Sequence, residues 1–231
     1  MDFNKLGISV QMSELRHFTS VEINKLERFY RANLINSISG YKPANLFGTF
    51  SKSGVPNLAL FTSIVHIGAN PPLIGFIQRP VGEFSHTYKN IIRSGYYTIN
   101  HVHESFVENA HFTSAKFPEN VSEFKACQLT QEQLAEFNAP FVKESRIKIG
   151  MKFVQEIPIE LNHTILMIGR IEHLFIQQDA ILDDGNVNLT RVKNVCTSGL
   201  ENYHKVSPLA SFPYAQTDNL PDFSKTDKKS E

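Results

Sequence analysis

Short apolar runs separated by turn residues dominate residues 44–101 and constrain the fold of this chain more than any other feature. The runs are rich in residue types that suit pleated strands. Ser53-Gly54 supplies a turn between two of them, and Pro71-Pro72 ends another. The pattern predicts four strands, with the sequences ANLFGTFS, NLALFTSIVHI, LIGFI and YYTINHV.

Two longer strand-like segments follow in the second half of the chain. They are RIKIGMKFVQEIPIEL at 146–161 and TILMIGRIEHLFI at 164–176, and Asp183-Asp184-Gly185 then predicts a turn. The total is about six or seven strands with a few short helices and an antiparallel arrangement. Closing such strands into a barrel removes exposed sheet edges. We therefore predict a mainly β fold with helical decorations, built as a β-barrel.

Helical signals flank and interrupt the strands. Thr19 and Glu22 form a capping-box pattern that predicts a helix running to Gly40. HTYKNIIRSG at 86–95 predicts a short helix. Residues 104–140 read as a helix-leaning insertion, in which Thr130 and Gln133 form a second capping-box pattern.

Three regions follow from this division of the chain. Residues 1–40 form an N-terminal extension whose helix is predicted to pack on the barrel. Residues 41–215 form the barrel domain, and the polar segment 216–231 is expected to be a disordered tail.

Composition excludes several classes of function. The 231 residues suffice for one good core, and 23 basic side chains balance 23 acidic ones, which disfavours nucleic acid or an anionic membrane as partner. No apolar run is long enough to span a membrane, and the N-terminus lacks a signal-peptide pattern. Cys127 and Cys196 are widely separated, which favours free thiols and a cytoplasmic protein.

Polar residues inside the apolar stretch 54–76 mark the first candidate site. Alternation along a strand predicts a common face for every second residue, namely Asn57, Ala59, Phe61 and Ser63. Leu58 and Thr62 point to the other face. A buried hydroxyl or amide needs a partner, so these groups either line a shallow polar slot or bond backbone at the strand end.

The segment RPVGEFSHTYKN at 79–90 marks the second candidate. Ser85 or Thr87 can cap the short helix, whose free N–H groups bind anions. Arg79 would complete a phosphate cradle. The alternative is an ordinary capped helix beside a surface arginine.

His101 and His103 share one face of a predicted strand and could bind a metal with a third ligand such as Glu108 or His111. No third ligand is set by the spacing, and no metal site is predicted. The chain also lacks the glycine-rich, nucleophile-elbow and zinc-protease motifs that would indicate other enzyme classes.

The order of these segments resembles the flavin reductase-like family, the FMN-binding split barrels. The resemblance is carried by FGTFSKSGVPNLALFTS, PPLIGFIQRP and SHTYKNIIRSGYYTIN, and HFTSAKFPENVSEF with GLENYHK is similar to the longer, flavoredoxin-like subgroup. It extends over roughly residues 30–215. Many relatives carry a charged residue before the helix threonine, where this chain has His86.

The resemblance implies a split β-barrel that binds FMN. It implies that the first candidate segment contacts the cofactor through Asn57, Leu58, Ala59, Phe61, Thr62 and Ser63. It also implies that the phosphate end of the cofactor is contacted by Arg79, Ser85, His86, Thr87 and Asn90. It further implies hydride transfer from NAD(P)H to the flavin, a homodimer, and a protein electron acceptor such as a monooxygenase. No catalytic acid or base is predicted, although His111 is expected near the site.

Three alternatives remain open at this point. One is an FMN-binding electron carrier reduced by a partner protein. A second is a pyridoxamine-phosphate oxidase-like enzyme, disfavoured because Arg146, Lys148 and Arg170 read as alternating surface charges on strands. The third is a structural barrel that binds no flavin.

Overall fold

The structure is a computed structural model in which residues 15–223 are described. The helices are α1 Ser20–Lys25, α2 Arg28–Ile38, α3 His86–Ser94, α4 Val107–Phe112 and α5 Glu123–Ala126. The strands are β1 Lys42–Pro43, β2 Asn45–Phe50, β3 Pro56–Phe61, β4 Ile64–Ala69, β5 Pro72–Gln78, β6 Tyr96–His101, β7 Gln131–Glu132, β8 Phe141–Val142, β9 Ile147–Ile159, β10 Thr164–Ile176, β11 Val195–Ser198 and β12 Asn202–Lys205.

Two compact units make up the chain. Of the described residues, 15–31 and 208–223 belong to one unit, and Ala32–Ser207 form the other, which contains every strand of the described part of the chain. The predicted disordered tail at 216–231 lies partly outside the described residues. None of the described helices is long and apolar enough to cross a membrane.

The capping box predicted at the first helix is confirmed, but the single long helix is wrong. The backbone N–H of Glu22 donates to Thr19 Oγ1 at 3.3 Å, and the Thr19 N–H donates to the Glu22 carboxylate at 2.7 Å. The helix ends after one and a half turns because the Glu27 carboxylate accepts the N–H groups of Phe29 and Tyr30 at 2.8 and 2.9 Å. This second cap starts α2 as a separate helix.

Seven antiparallel strands form the main sheet, in the order β3-β2-β6-β9-β10-β5-β4. The strands β3 and β4 lie at opposite edges, yet only Thr62 and Ser63 separate them in the chain. The sheet must therefore curl until its edges approach each other. The Ser63 carbonyl oxygen accepts the N–H of Ile77 on β5 at 2.9 Å, which fixes this crossing.

The continuous strand predicted over NLALFTSIVHI is accordingly wrong. It is two strands, interrupted where the chain leaves one sheet edge and enters the other. The alternation of faces stops at Phe61, and Thr62 and Ser63 occupy the junction instead of opposite faces of one strand. The mainly β fold with helical decorations is confirmed.

The second predicted capping box, at Thr130 and Gln133, is also wrong. The Thr130 N–H donates to the Glu144 carboxylate at 2.9 Å, and the next two residues form β7, which pairs with β8. The Gln133 side chain donates to the Phe137 carbonyl oxygen. Pairing with a distant segment has overridden the local helical signal.

Alternate residues of β2 supply two cores. Phe47 points into the barrel, where it stacks on Tyr97 with ring centroids 5.5 Å apart and meets Phe76 edge-on at 4.7 Å. Leu46 points outward and packs with Leu58 beneath α4 and α5. Because these two helices cover the outer face beside the β3 edge, they border the site described below.

Candidate functional site

A cavity of about 540 Å³ opens at the β3 edge of the curled sheet, where the ends of β3 and β5, the start of α3 and the segment after α4 meet. Nine of the eleven predicted cofactor-binding residues line it, namely Asn57, Ala59, Phe61, Thr62, Ser63, Arg79, Ser85, His86 and Thr87. Leu58 and Asn90 do not line it. The side chain of Leu58 is fully buried in the outer core, and Asn90 lies behind Thr87 on α3.

The first turn of α3 presents uncapped N–H groups to this cavity. Ser85 is the residue at the N-cap position, as predicted, but its side chain makes no capping hydrogen bond. The hydroxyl oxygen accepts the N–H of Gly82 at 3.0 Å instead. The backbone of His86, Thr87 and the residue after them is thus left to bind an anion, which the helix dipole favours.

Two cations border the same end of the cavity. Arg79 is exposed, and within residues 15–223 its guanidinium has no ion pair and no hydrogen bond. Lys116, which the sequence did not indicate, lies over the ring of Phe84 with 5.7 Å from its Nζ to the ring centroid. The arginine is therefore free to form a charge-assisted hydrogen bond with a ligand.

A buried hydrogen-bond network holds α3 against the sheet. The Asn57 side-chain amide donates to Thr49 Oγ1 at 3.1 Å and to Thr87 Oγ1 at 3.0 Å. The Asn90 amide donates to the same Thr49 hydroxyl at 3.0 Å. Asn57 thus bonds neighbouring side chains, not strand-end backbone, and sets the position of the α3 N-terminus. The sequence did not indicate Thr49, because nothing local distinguishes it from other strand threonines.

Replacing Thr49 by valine should destabilise the protein by about 1–3 kcal/mol, since the Asn90 amide loses its acceptor while it remains buried. Urea unfolding would measure the loss. The matched variant is Thr190→Val at an exposed threonine, for which we expect a change within about 0.5 kcal/mol. Equal stabilities of the two variants would contradict the network.

A buried carboxylate, missed by the sequence analysis, closes the β3 side of the cavity. Glu123 at the start of α5 is only 5% exposed, and its Oε2 accepts the Leu58 N–H at 2.9 Å. An edge strand otherwise leaves such an N–H unpaired. Burial raises the pKa of the Glu123 carboxyl, and the hydrogen bond from Leu58 opposes that shift. His86, which donates from Nε2 to the Phe117 carbonyl oxygen at 3.3 Å, lies near this carboxyl.

The tip of the β11–β12 hairpin also lines the cavity, through Leu200 and Glu201. His111 on α4 lines the cavity beside them, and its Nδ1 lies 3.1 Å from Tyr203 Oη. Burial raises the pKa of the Tyr203 phenol to about 12. The hairpin is therefore tied to α4 by the hydrogen bond between His111 and Tyr203.

Comparison with known proteins identifies this arrangement. The family model described as "Flavin reductase like domain" matches residues 41–188. The chain belongs to this flavin reductase-like family. The family match contains β1 to β10 and α3 to α5, and therefore most of the cavity lining, whereas the hairpin tip lies beyond it.

Solved structures of similar proteins share the architecture. A protein from Shewanella frigidimarina, assigned as a flavin reductase with a split barrel domain, is 45% identical with a TM-score of 0.84, covering 87% of this chain and all of that one. Nitrilotriacetate monooxygenase component B from Bacillus cereus is 25% identical with a TM-score of 0.76, covering 86% of this chain and all of that one. Flavoredoxin of Desulfovibrio vulgaris is 23% identical with a TM-score of 0.65, covering 76% of this chain and 92% of that one. The predicted split barrel is confirmed.

Both members of the histidine pair of this flavin reductase-like protein are engaged in hydrogen bonds. His101 Nδ1 lies 2.7 Å from the Asn194 side-chain amide nitrogen, while His103 Nδ1 lies 2.8 Å from Ser105 Oγ. Within the described part of the chain, no group of three or more His, Cys, Asp or Glu side chains could hold a metal ion.

The three basic residues considered for a pyridoxamine-phosphate oxidase-like site are not all surface charges. Lys148 is 8% exposed and forms an ion pair with Glu132, so that expectation was wrong for this residue. Arg170 is exposed. None of Arg146, Lys148 and Arg170 lines the cavity, which leaves that alternative without a second phosphate site there.

Proposed function

We propose that this flavin reductase-like protein binds FMN in the cavity and acts as an oxidoreductase that accepts hydride from NAD(P)H. The observation that carries the proposal is the convergence of the uncapped α3 N-terminus and the unpaired Arg79 on one end of the cavity. Those groups suit a phosphate dianion, because backbone N–H donors and a guanidinium both bind phosphate oxygens. The cavity volume is also within the range typical of small-molecule sites.

In this proposal the other predicted residues divide into two roles. The end of β3 and the junction at Thr62 and Ser63 border the ribityl arm and the flavin ring. Asn57 positions the first turn of α3 through Thr87. Asn90 and Leu58 act from behind the cavity wall, through the Thr49 network and through Glu123 respectively.

Bound FMN supplies the hydride and electron chemistry. The chain's own residues bind and orient the ligand and exclude water, and none of them needs to act as a general acid or base. Leu60 and Phe61 border the cavity with apolar surface, which lowers the local dielectric and strengthens the polar contacts at the phosphate end.

A visible absorption spectrum of the purified protein with FMN, repeated under anaerobic conditions after NADH or NADPH, tests the proposal. We expect bound yellow flavin that bleaches with one of the two donors. Bound flavin that stays yellow with both would replace the reductase by the electron carrier reduced by a partner protein. Absence of FMN binding would overturn the flavin assignment and favour a structural barrel.

A homodimer is also part of the proposal, and an apolar patch on the outer face of the sheet supports it. The edge strand β4 exposes Val65 by 45% and Ile67 by 41%. Both side chains lie over Gly75, and so does the side chain of Leu166 on β10. Leu166 lies directly opposite Ile157 on the neighbouring strand β9, and Ile157 is itself 41% exposed. Contiguous apolar surface of this kind is typical of interfaces.

Val65→Lys should therefore convert a dimer into a monomer, because it places a charge within the apolar patch that the proposed interface would bury. Sedimentation velocity would measure the assembly state. Leu174→Lys is the matched control, since Leu174 is 53% exposed elsewhere on the sheet. A wild-type monomer, or a dimer that survives Val65→Lys, would contradict this interface.

A protein electron acceptor and a cytoplasmic location complete the proposal. The similar protein from Bacillus cereus is named as a component of a monooxygenase, which supports an onward transfer of electrons to a partner enzyme. Cys127 and Cys196 are both free thiols, as expected of a protein in a reducing compartment.

A further inference from the structure

The smaller of the two compact units has no core of its own. Among the described residues it comprises 15–31 and 208–223, and we call it the terminal unit. None of these described residues is buried. Burial of apolar surface is the main term that offsets the loss of chain entropy on folding. A compact unit without buried residues therefore depends on another surface for its order.

Apolar side chains in the C-terminal part of the terminal unit lie open to solvent. We call residues 208–221 the arm. Within it, Leu209 is 100% exposed, Phe212 84% and Tyr214 86%. Single exposed apolar residues are common on protein surfaces, but a contiguous apolar group is typical of an interaction site. The close spacing of these three side chains therefore indicates a segment that binds another surface.

The composition of the arm differs from that of a disordered tail. Its only charged side chain is Asp218, whereas charged residues are frequent in the sequence from Asp222 onward. Disordered segments combine high charge with few aromatic residues. The arm has the opposite composition, and the solubilising charges begin only after it ends.

The arm is also partly organised before it binds. Pro208 and Pro213 each fix one backbone dihedral and so reduce the chain entropy that is lost on ordering. The Gln216 N–H donates to Asn219 Oδ1 at 2.8 Å, and the Asn219 side-chain amide donates to the Tyr214 carbonyl oxygen at 3.0 Å. Such a turn lowers the entropic cost of docking.

The sheet patch proposed as the dimer interface is too small to hold a dimer by itself. Val65, Ile67 and Ile157 are each less than half exposed, whereas a stable interface buries about 800 Å² on each partner. A buried aromatic side chain covers about 150–250 Å², so Phe212 and Tyr214 would add about 300–500 Å² from each arm. Two-fold symmetry doubles that contribution, because both copies carry the arm.

We propose that the arm of each copy packs against the body, Ala32–Ser207, of a second copy, so that exchanged arms hold the homodimer together. The inference rests on the homodimer of the proposed function. A second copy is the fitting partner because the arm is apolar and nearly uncharged, as the core of a homodimer interface is. Residues 208–215 span about 25 Å when extended, which is long enough to cross from one copy to the other.

A single fluorescent reporter tests the exchange, because the chain contains no tryptophan. We expect the emission maximum of Phe212→Trp to move to shorter wavelength as the protein concentration rises, in step with the dimer fraction from sedimentation velocity. The full chain is used without added FMN, whose absorption overlaps the emission. Adding Leu209→Ser to the reporter variant weakens the dimer and brings its dissociation into the measurable range.

Leu209→Ser should raise the dimer Kd about tenfold or more, because each dimer loses two buried leucine side chains. The matched control is Leu161→Ser, since Leu161 is 97% exposed in the β9–β10 connection. Its dimer Kd should equal that of the wild type.

Two results would overturn the exchanged arms while leaving the homodimer in place. One is a dimer in which the reporter emits as a solvent-exposed ring, and the other is a monomer in which it emits as a buried ring. A wild-type protein that stays monomeric would overturn both the arms and the homodimer. Failure to bind FMN, with the reporter buried in the dimer, would overturn the flavin assignment alone.

Discussion

Gly48→Ala is expected to destabilise the protein by about 3 kcal/mol or more, enough to prevent folding of a marginally stable domain. Gly48 lies on β2 between the two cores. A Cβ atom there would overlap sterically with the Pro140 carbonyl oxygen and would lie 2.6 Å from Thr98 Oγ1. These two atoms are hydrogen bonded to each other at 2.6 Å in a buried position. A backbone oxygen cannot rotate away as a flexible side chain can.

Urea unfolding followed by circular dichroism would measure the effect, with the yield of soluble protein as a second readout. Gly82→Ala provides the control, because a Cβ atom at Gly82 would meet no atom within 4 Å. We expect Gly82→Ala to unfold within about 0.5 kcal/mol of the wild type. If Gly48→Ala matched it, the close approach of the Pro140 segment to β2 would be wrong.

Arg79→Ala is expected to raise the Kd for FMN by about 10- to 100-fold. Hydrogen bonds to charged groups contribute about 1.5–3 kcal/mol, and 1.4 kcal/mol corresponds to a tenfold change in affinity. The guanidinium has no competing partner among residues 15–223, so its removal should affect ligand binding much more than folding. Quenching of flavin fluorescence would report the Kd.

Riboflavin separates a phosphate contact from a general loss of the site, because it has the same ring and ribityl arm without the phosphate. Its affinity should be the same in the wild type and in Arg79→Ala. Arg170→Ala removes an exposed arginine that does not line the cavity and should leave both affinities unchanged. An equal loss for FMN and riboflavin in Arg79→Ala would place the arginine away from the phosphate.

Local sequence signals predicted most of the secondary structure. Alternating apolar residues and short turns located β2, β5, β6, β9 and β10, because strand formation at these positions follows the residue-to-residue pattern. The helix at 86–95 was predicted as α3, and its C-terminal Gly95 has the left-handed φ of 75° that stops such a helix.

Errors arose where distant pairing overrode a local pattern. The apolar run through Thr62 and Ser63 continues without a break, although the chain there passes between the two edges of the sheet. Thr130 and Gln133 match a capping box, but pairing of β7 with β8 draws the segment into a hairpin. In both places the outcome depends on how strands pair in the folded sheet, which the local residue pattern does not encode.

The candidate site likewise has one part that the local sequence predicted and another part that only tertiary contacts assembled. The sequence by itself determined the mainly β class, the family, and the two local segments that supply nine cavity-lining residues, because strand alternation and a helix start are properties of neighbouring residues. Only the tertiary structure brought Lys116, Glu123 and Glu201 to those segments. Their contacts depend on the curl of the sheet and the packing of α4, α5 and the β11–β12 hairpin against its open edge. The charge of the cavity walls, and with it the choice of ligands, was therefore decided by contacts between residues far apart in the chain.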